Sequence, residues 1–162
     1  MKYPQIIRRG QMTLLGISML GDSRTDIPDL WTRFARMEPF IIESALSPRY
    51  IIITWGSETE LLYKHFLYVG VEVPRIQAPP IASTVKILPA AQYAVFSAWA
   101  RTLDDMWTYA LETWLPGSAY SEPGFIIQRY DRLRYMEAPP YRKEIDIMIP
   151  LRRRDTVFAS KP

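Results

Sequence analysis

Residues 25–34 (TDIPDLWTRF) and residues 101–110 (RTLDDMWTYA) align without a gap, and this pair of segments decides the fold. Apolar side chains recur at i, i+3, i+4 and i+7 in both segments: Ile27, Leu30, Trp31 and Phe34 in the first, and Leu103, Met106, Trp107 and Ala110 in the second. This spacing places one apolar stripe along a helix. We therefore predict two amphipathic helices, over residues 25–38 and from residue 102 to Trp114, in copies offset by 76 residues from Trp31 to Trp107.

β-branched and alternating runs flank each helix in the same order. Extended segments are predicted at residues 6–20 (with a bend near Gly10), 50–55 and 66–73, and again at residues 82–100, 125–133 and 144–151. The same offset aligns Ile17 with Tyr93, Ile51 with Ile127 and Val73-Pro74 with Ile149-Pro150. The connection after the first central strand begins at Gly56-Ser57-Glu58, and a proline-rich linker at residues 74–80 joins the copies.

The pattern predicts an α+β fold in one domain spanning residues 1–162. A duplicated β-α-β-β repeat, about residues 4–75 and 80–151, would form a single antiparallel sheet with two helices packed on one side. Such a fold is pseudo-twofold symmetric, and the seam between the copies is a natural place for a ligand cleft.

Composition excludes several classes of function. The chain of 162 residues has no cysteine and one histidine, His65, which argues against thiol chemistry, a histidine metal cluster, a catalytic triad and any bound cofactor. No apolar run reaches membrane-spanning or signal-peptide length, so we expect a cytoplasmic protein without a membrane partner. The net charge is only +3, part of it in the solvated run Arg152–Arg154, and we expect no direct binding to nucleic acid.

Four segments carry a resemblance to a known family. They are residues 68–73 (YVGVEV), 87–96 (ILPAAQYAVF), 114–120 (WLPGSAY) and 144–151 (EIDIMIPL). In this order and spacing the chain resembles the GyrI-like superfamily, the effector-binding domains of AraC- and MerR-type activators and their stand-alone relatives. The resemblance implies a duplicated β-α-β-β fold with a central aromatic cleft for hydrophobic, often cationic, small molecules.

The chain departs from that family at one important position. Many members carry a glutamate at the bottom of the cleft, in a strand ending in Tyr-Asp. Aligned through Tyr130-Asp131, residues 127–131 (IQRYD) place Gln128 where the glutamate would stand. A glutamine can hydrogen bond, but it neither balances a cation nor acts as a general base.

Seven candidate ligand-binding residues follow. Gln128 and Tyr130 are two apart on one strand, so they share a face and are expected at the polar floor of the cleft, or else toward solvent, with Arg129 on the opposite face. Trp31 and Trp107 either line the cleft or pack the helices on the sheet. Trp55, Tyr68 and Trp99 lie on or beside strands and are expected in the pocket wall or in ordinary packing. Glu72 shares a strand face with Tyr68 and could supply a replacement acid if it is not solvated.

The prediction for function is a stand-alone effector-binding protein for a hydrophobic or aromatic small molecule, charged or neutral, linked to transcription regulation or to drug or toxin sensing. Two alternatives stay open. One is a hydrolase that opens cyclopropanoid rings, which the replacement at Gln128 disfavours, so that we predict no catalytic residue. The other is a gyrase-inhibitor-like interaction module with a protein partner, which a large exposed apolar patch would favour.

Overall fold

The computed structural model describes residues 3–41, 47–55, 65–74 and 82–154. The predicted connection at residues 56–58 and most of the linker at residues 74–80 lie outside these ranges. The strands are β1 (Gln5–Arg9), β2 (Met12–Gly21), β3 (Arg49–Thr54), β4 (His65–Glu72), β5 (Thr84–Leu88), β6 (Ala91–Trp99), β7 (Phe125–Tyr130) and β8 (Glu144–Pro150). The helices are α1 (Ile27–Met37) and α2 (Leu103–Thr108), and α2 continues as a π-helical segment, Tyr109–Trp114. None of the described helices has the length and apolar character needed to cross a bilayer.

All eight strands form one antiparallel sheet in the order β1-β6-β8-β7-β3-β4-β2-β5. Both helices pack on one face of it. Leu30 and Phe34 of α1 contact the β3 side chains Ile51 and Ile53, while α2 covers Ile126 of β7. Ile53 and Ile126 are directly opposite each other in the ladder and so share a face. The predicted α+β fold is confirmed, and the strand order is unchanged when β1–β4 and β5–β8 are exchanged and the sheet is read from its other edge.

The ungapped offset is wrong for the first two strands of each copy. Both α1 and α2 begin 76 residues apart (Ile27 to Leu103), but β1 and β5 begin 79 residues apart (Gln5 to Thr84), as do β2 and β6. A three-residue error reverses the face of a strand residue. Ile17 packs on the helix side and Tyr93 on the opposite side, so the predicted equivalence of these two residues does not hold.

The strand predicted over residues 125–133 ends earlier, at Tyr130. The Asp131 carboxylate accepts hydrogen bonds from the backbone N–H groups of Leu133 and Arg134, each at 3.1 Å. These bonds cap a short π-helical turn, Arg132–Met136, which leaves the sheet. An aspartate that satisfies free N–H groups at the start of a helix is favoured there over strand pairing.

The face opposite the helices holds a second apolar core that the sequence did not predict. Its buried members are Met12, Leu14, Tyr50, Ile52, Tyr68, Leu88, Tyr93, Ile127 and Met148. The sheet curls to enclose them. Arg9 of the edge strand β1 donates to Glu72 of β4 at 2.8 Å, although four strands separate β1 from β4 in the sheet order. Glu72 is therefore paired on this face and is not the replacement acid considered above.

One carboxylate on the same face is almost completely buried. Asp146 of β8 is 1% exposed and accepts hydrogen bonds from Ser97 at 2.7 Å, from Arg129 at 2.9 Å and from Arg134 at 2.8 Å. Burial opposes ionisation of Asp146, but the bonds from Arg134 and Ser97 outweigh it and hold its pKa below the ordinary value. Arg129 thus points away from the helices, as strand alternation predicts.

Candidate ligand cleft

A cleft of about 500 Å³ opens between the two helices above the centre of the sheet. The central strands β3 and β7 supply its floor and the helices its walls, because α1 and α2 lie side by side on the same face. The lining residues are Ser23, Arg24, Ile27, Ile53, Leu103, Asp104, Trp107, Thr108, Gln128 and Tyr130. Three of the seven candidate residues, Trp107, Gln128 and Tyr130, therefore meet in one space between the two copies.

The floor of the cleft is polar but uncharged. Gln128 and Tyr130 are 6% and 4% exposed, and the Tyr130 hydroxyl donates a hydrogen bond of 2.7 Å to Oε1 of Gln128. Burial, with a smaller contribution from Tyr135, raises the pKa of Tyr130, so its hydroxyl stays protonated as a donor. The floor can therefore hydrogen bond a ligand, but it offers no charge for a cation to pair with.

Aromatic rings support this floor and one wall from behind. The Trp31 and Tyr135 rings pack edge-on against Tyr130, with centroid distances of 5.0 and 4.9 Å. Trp55 lies behind Trp107 at 6.4 Å between ring centroids. Trp31 and Trp55 line smaller neighbouring spaces of about 270 and 330 Å³. Both tryptophans thus contact residues of the cleft and hold them in place.

Tyr68 and Trp99 are not brought to the cleft. In the ladder Tyr68 pairs with Ile52, which pairs with Ile127, whereas Gln128 pairs with Ile51. Tyr68 therefore faces the opposite side of the sheet, where its hydroxyl donates to the Thr84 carbonyl at 2.7 Å. Trp99 ends β6 and is 36% exposed, with the Arg101 guanidinium 5.2 Å from its ring centroid.

The cleft mouth carries charged and polar groups that the sequence analysis did not single out. Asp104 and Thr108 lie one helical turn apart on α2, beside the similarly spaced Leu103 and Trp107. On the other side, Arg24 donates to the Asp22 carboxylate at 3.2 and 3.3 Å. The missed signal was the pair of adjacent i, i+4 rows on α2, since a helix that points Trp107 into a cleft also points its flanking row there.

A larger open groove of about 640 Å³ lies on the far side of α1, between that helix and β2. Its lining includes Ile17, Arg36, Met37 and Phe40, and the Phe40 side chain is 73% exposed. It contains no buried polar side chain among its described lining residues and adjoins residues outside the described ranges. The inter-helix cleft, with two buried and convergent polar groups, is the stronger candidate for specific binding.

Comparison with known proteins agrees with this geometry. A family model described as "GyrI-like small molecule binding domain" matches residues 3–152. No curated protein matches the sequence. The solved structure of SAV2435 bound to tetraphenylphosphonium has a TM-score of 0.69 at 15% identity, over 94% of each chain. The EcmrR C-terminal domain has a TM-score of 0.63 at 11% identity, over 95% of this chain and 100% of that one.

EcmrR in its complex with DNA gives a TM-score of 0.65 at 9% identity, over 93% of this chain and 57% of that longer one. At these identities, the likeness to all three structures establishes the fold.

Proposed function

The chain belongs to the GyrI-like small-molecule-binding family, and on that premise we propose that the cleft between α1 and α2 binds one hydrophobic or aromatic small molecule. The observation that carries the proposal is the buried Gln128–Tyr130 pair at the floor of a space of about 500 Å³. A volume of this size suits a drug-sized ligand, and a few convergent polar groups fix its orientation.

The energetics of such binding rest on burial. Each Å² of apolar ligand surface removed from water contributes roughly 25 cal/mol, and association costs leave a Kd in the micromolar range for a ligand that fills the cleft. Trp107 supplies a flat apolar wall, and the Gln128 amide supplies hydrogen-bonding capacity beyond its bond to Tyr130. The ligand's ring system is expected against the indole and the floor.

We propose a sensing role for this binding, in the cytoplasm and linked to transcription regulation. The support is the fold shared with EcmrR, whose DNA complex contains a chain longer than this one. In this scheme the ligand-binding unit does not contact DNA itself, and any regulatory output passes through a protein partner.

A blocking substitution tests the proposed site. Thr108 is exposed at the mouth, so Thr108→Trp fills the cleft without removing a core side chain. We expect it to weaken binding at least about tenfold, because a ligand displaced from the floor loses on the order of 1.4 kcal/mol or more. The probes are naphthylmethyl-trimethylammonium and its neutral isostere neopentylnaphthalene, titrated by calorimetry.

The matched control is Thr113→Trp, which places the same side chain at an exposed position of the same helical segment that does not line the cleft. It should bind both probes like the unmodified protein. Equal affinities for Thr108→Trp and Thr113→Trp would move the site elsewhere, and no heat from either probe with the unmodified protein would refute the proposed function.

A further inference from the structure

We propose that Asp104 at the mouth of the cleft makes the site select amphipathic organic cations, with the apolar end at the floor and the positive end at the mouth. The inference rests on the proposed function. It assigns charge recognition to a helix residue at the entrance and away from the strand floor.

The carboxylate of Asp104 differs from the others around the site in having no partner. Within the described ranges it makes no hydrogen bond or ion pair, whereas Asp22 accepts from Arg24, Glu72 from Arg9 and Asp146 from Arg129, Arg134 and Ser97. Its negative charge is therefore available to a ligand. Because Asp104 is exposed, keeping this charge ionised in the empty protein carries little desolvation cost.

The second charged residue of the lining does not cancel this effect. Arg24 is held by the Asp22 carboxylate through Nε at 3.3 Å and Nη2 at 3.2 Å, so its positive charge is already balanced. The charged groups at the mouth therefore sum to one net negative charge, that of Asp104. A ligand that brings a positive charge to this position is favoured over its neutral isostere.

The floor sets the orientation of such a ligand. Gln128 and Tyr130 are uncharged, and burying a cation against them would cost desolvation with no ion pair in return. Trp107 lies one residue from two helix turns that face the mouth, and its indole can also attract a nearby cation through its ring face. A cation with its charge at one end meets both requirements, whereas a cation with its charge at the centre of an apolar shell gains less from Asp104.

The chain offers a closely matched control. Asp105 follows Asp104 in the same first turn of α2, is also exposed and does not line the cleft. Asp104→Asn and Asp105→Asn remove the same charge from the same helix turn, so general effects on net charge and helix stability are equal. Only Asp104→Asn removes a charge from the ligand's surroundings.

The experiment is calorimetric titration of naphthylmethyl-trimethylammonium and neopentylnaphthalene into both variants and the unmodified protein, at low and high salt. We expect Asp104→Asn to lower the cation-to-neutral affinity ratio about three- to tenfold, and Asp105→Asn to leave it within about 1.5-fold. Added salt should weaken cation binding to the unmodified protein and to Asp105→Asn, and much less to Asp104→Asn.

An unchanged ratio in Asp104→Asn, or equal losses in both variants, would overturn the inference while leaving the cleft as the binding site. Failure of the unmodified protein to bind either probe would instead refute the proposed function on which the inference rests. A ratio that favours the neutral probe in the unmodified protein would also overturn the inference.

Discussion

Asp146→Ala is expected to lower the free energy of unfolding by about 2–4 kcal/mol at pH 7, because it breaks a buried network of charged hydrogen bonds. Asp146 is 1% exposed and accepts bonds from Ser97, Arg129 and Arg134. Without it, both arginines lose their shared anion. Their side chains are 31% and 35% exposed, so water replaces part of the loss and keeps the expected effect below that of a fully enclosed pair.

The pH dependence of this effect has a definite sign. The pKa of Asp146 is lowered on folding, so its contribution to stability is complete above the unfolded-state pKa of about 3.9 and is lost as pH falls through the folded-state pKa. The difference in unfolding free energy between the unmodified protein and Asp146→Ala should therefore shrink below about pH 4. Urea unfolding at pH 7 and at pH 3 measures it.

Glu137→Ala is the control for this variant, since it breaks the exposed Arg132–Glu137 pair, in which both side chains are about half exposed. That change should cost no more than about 0.5 kcal/mol. A loss for Asp146→Ala as small as that of Glu137→Ala, or a loss that is the same at pH 3 and pH 7, would show that the network does not stabilise the fold through an ionised Asp146.

The second large effect is expected at the floor of the cleft. Gln128→Glu should raise the cation-to-neutral affinity ratio about tenfold or more, since a partly desolvated carboxylate attracts a bound cation strongly. The Tyr130 hydroxyl can still donate to the new carboxylate, so the fold is expected to survive. The ratio is measured with the same naphthyl probes.

The same substitution should reduce stability in the empty state. A carboxylate at a position that is 6% exposed lacks a cationic partner, so we expect a loss of about 1–3 kcal/mol at pH 7 and a raised pKa for the introduced glutamate. A group with a raised folded-state pKa costs nothing below its unfolded-state pKa. The loss should therefore vanish as pH falls toward about 4 and grow as pH rises to the folded-state value.

Gln92→Glu is the matched control, because it makes the same chemical change at an exposed position of β6. It should alter neither the ratio nor the stability by a measurable amount. If Gln128→Glu leaves the cation-to-neutral ratio where Gln92→Glu leaves it, Gln128 is not at the ligand site.

The helices and most strands could be predicted from periodicity alone, because the apolar stripes around Trp31 and Trp107 and the β-branched run at Ile51–Ile53 are strong local signals. The second core on the far side of the sheet could not. It depends on the sheet curling until Arg9 and Glu72 meet, which is a long-range property with no local pattern. The offset of 76 failed for the same reason, since strand registers are set by pairing and not by spacing along the chain.

The site was predictable only where position on an element sufficed. Two-residue spacing placed Gln128 and Tyr130 together, and the helix stripe pointed Trp107 toward the sheet. Tyr68 could not be assigned to a face relative to Gln128, because that needs the register of β4 on β3 and of β3 on β7. Asp104 was missed because an acidic residue in the first turn of a helix is usually a surface charge.

A crystal structure with a bromine-labelled probe tests the central claim most directly. The ligand is naphthylmethyl-trimethylammonium with bromine on the ring end farthest from the nitrogen, and the bromine is located by its anomalous scattering. We predict one bromine peak between α1 and α2, in contact with the floor formed by Gln128 and Tyr130. A peak in the groove beside Arg36 and Phe40, with the inter-helix cleft empty, would contradict the account.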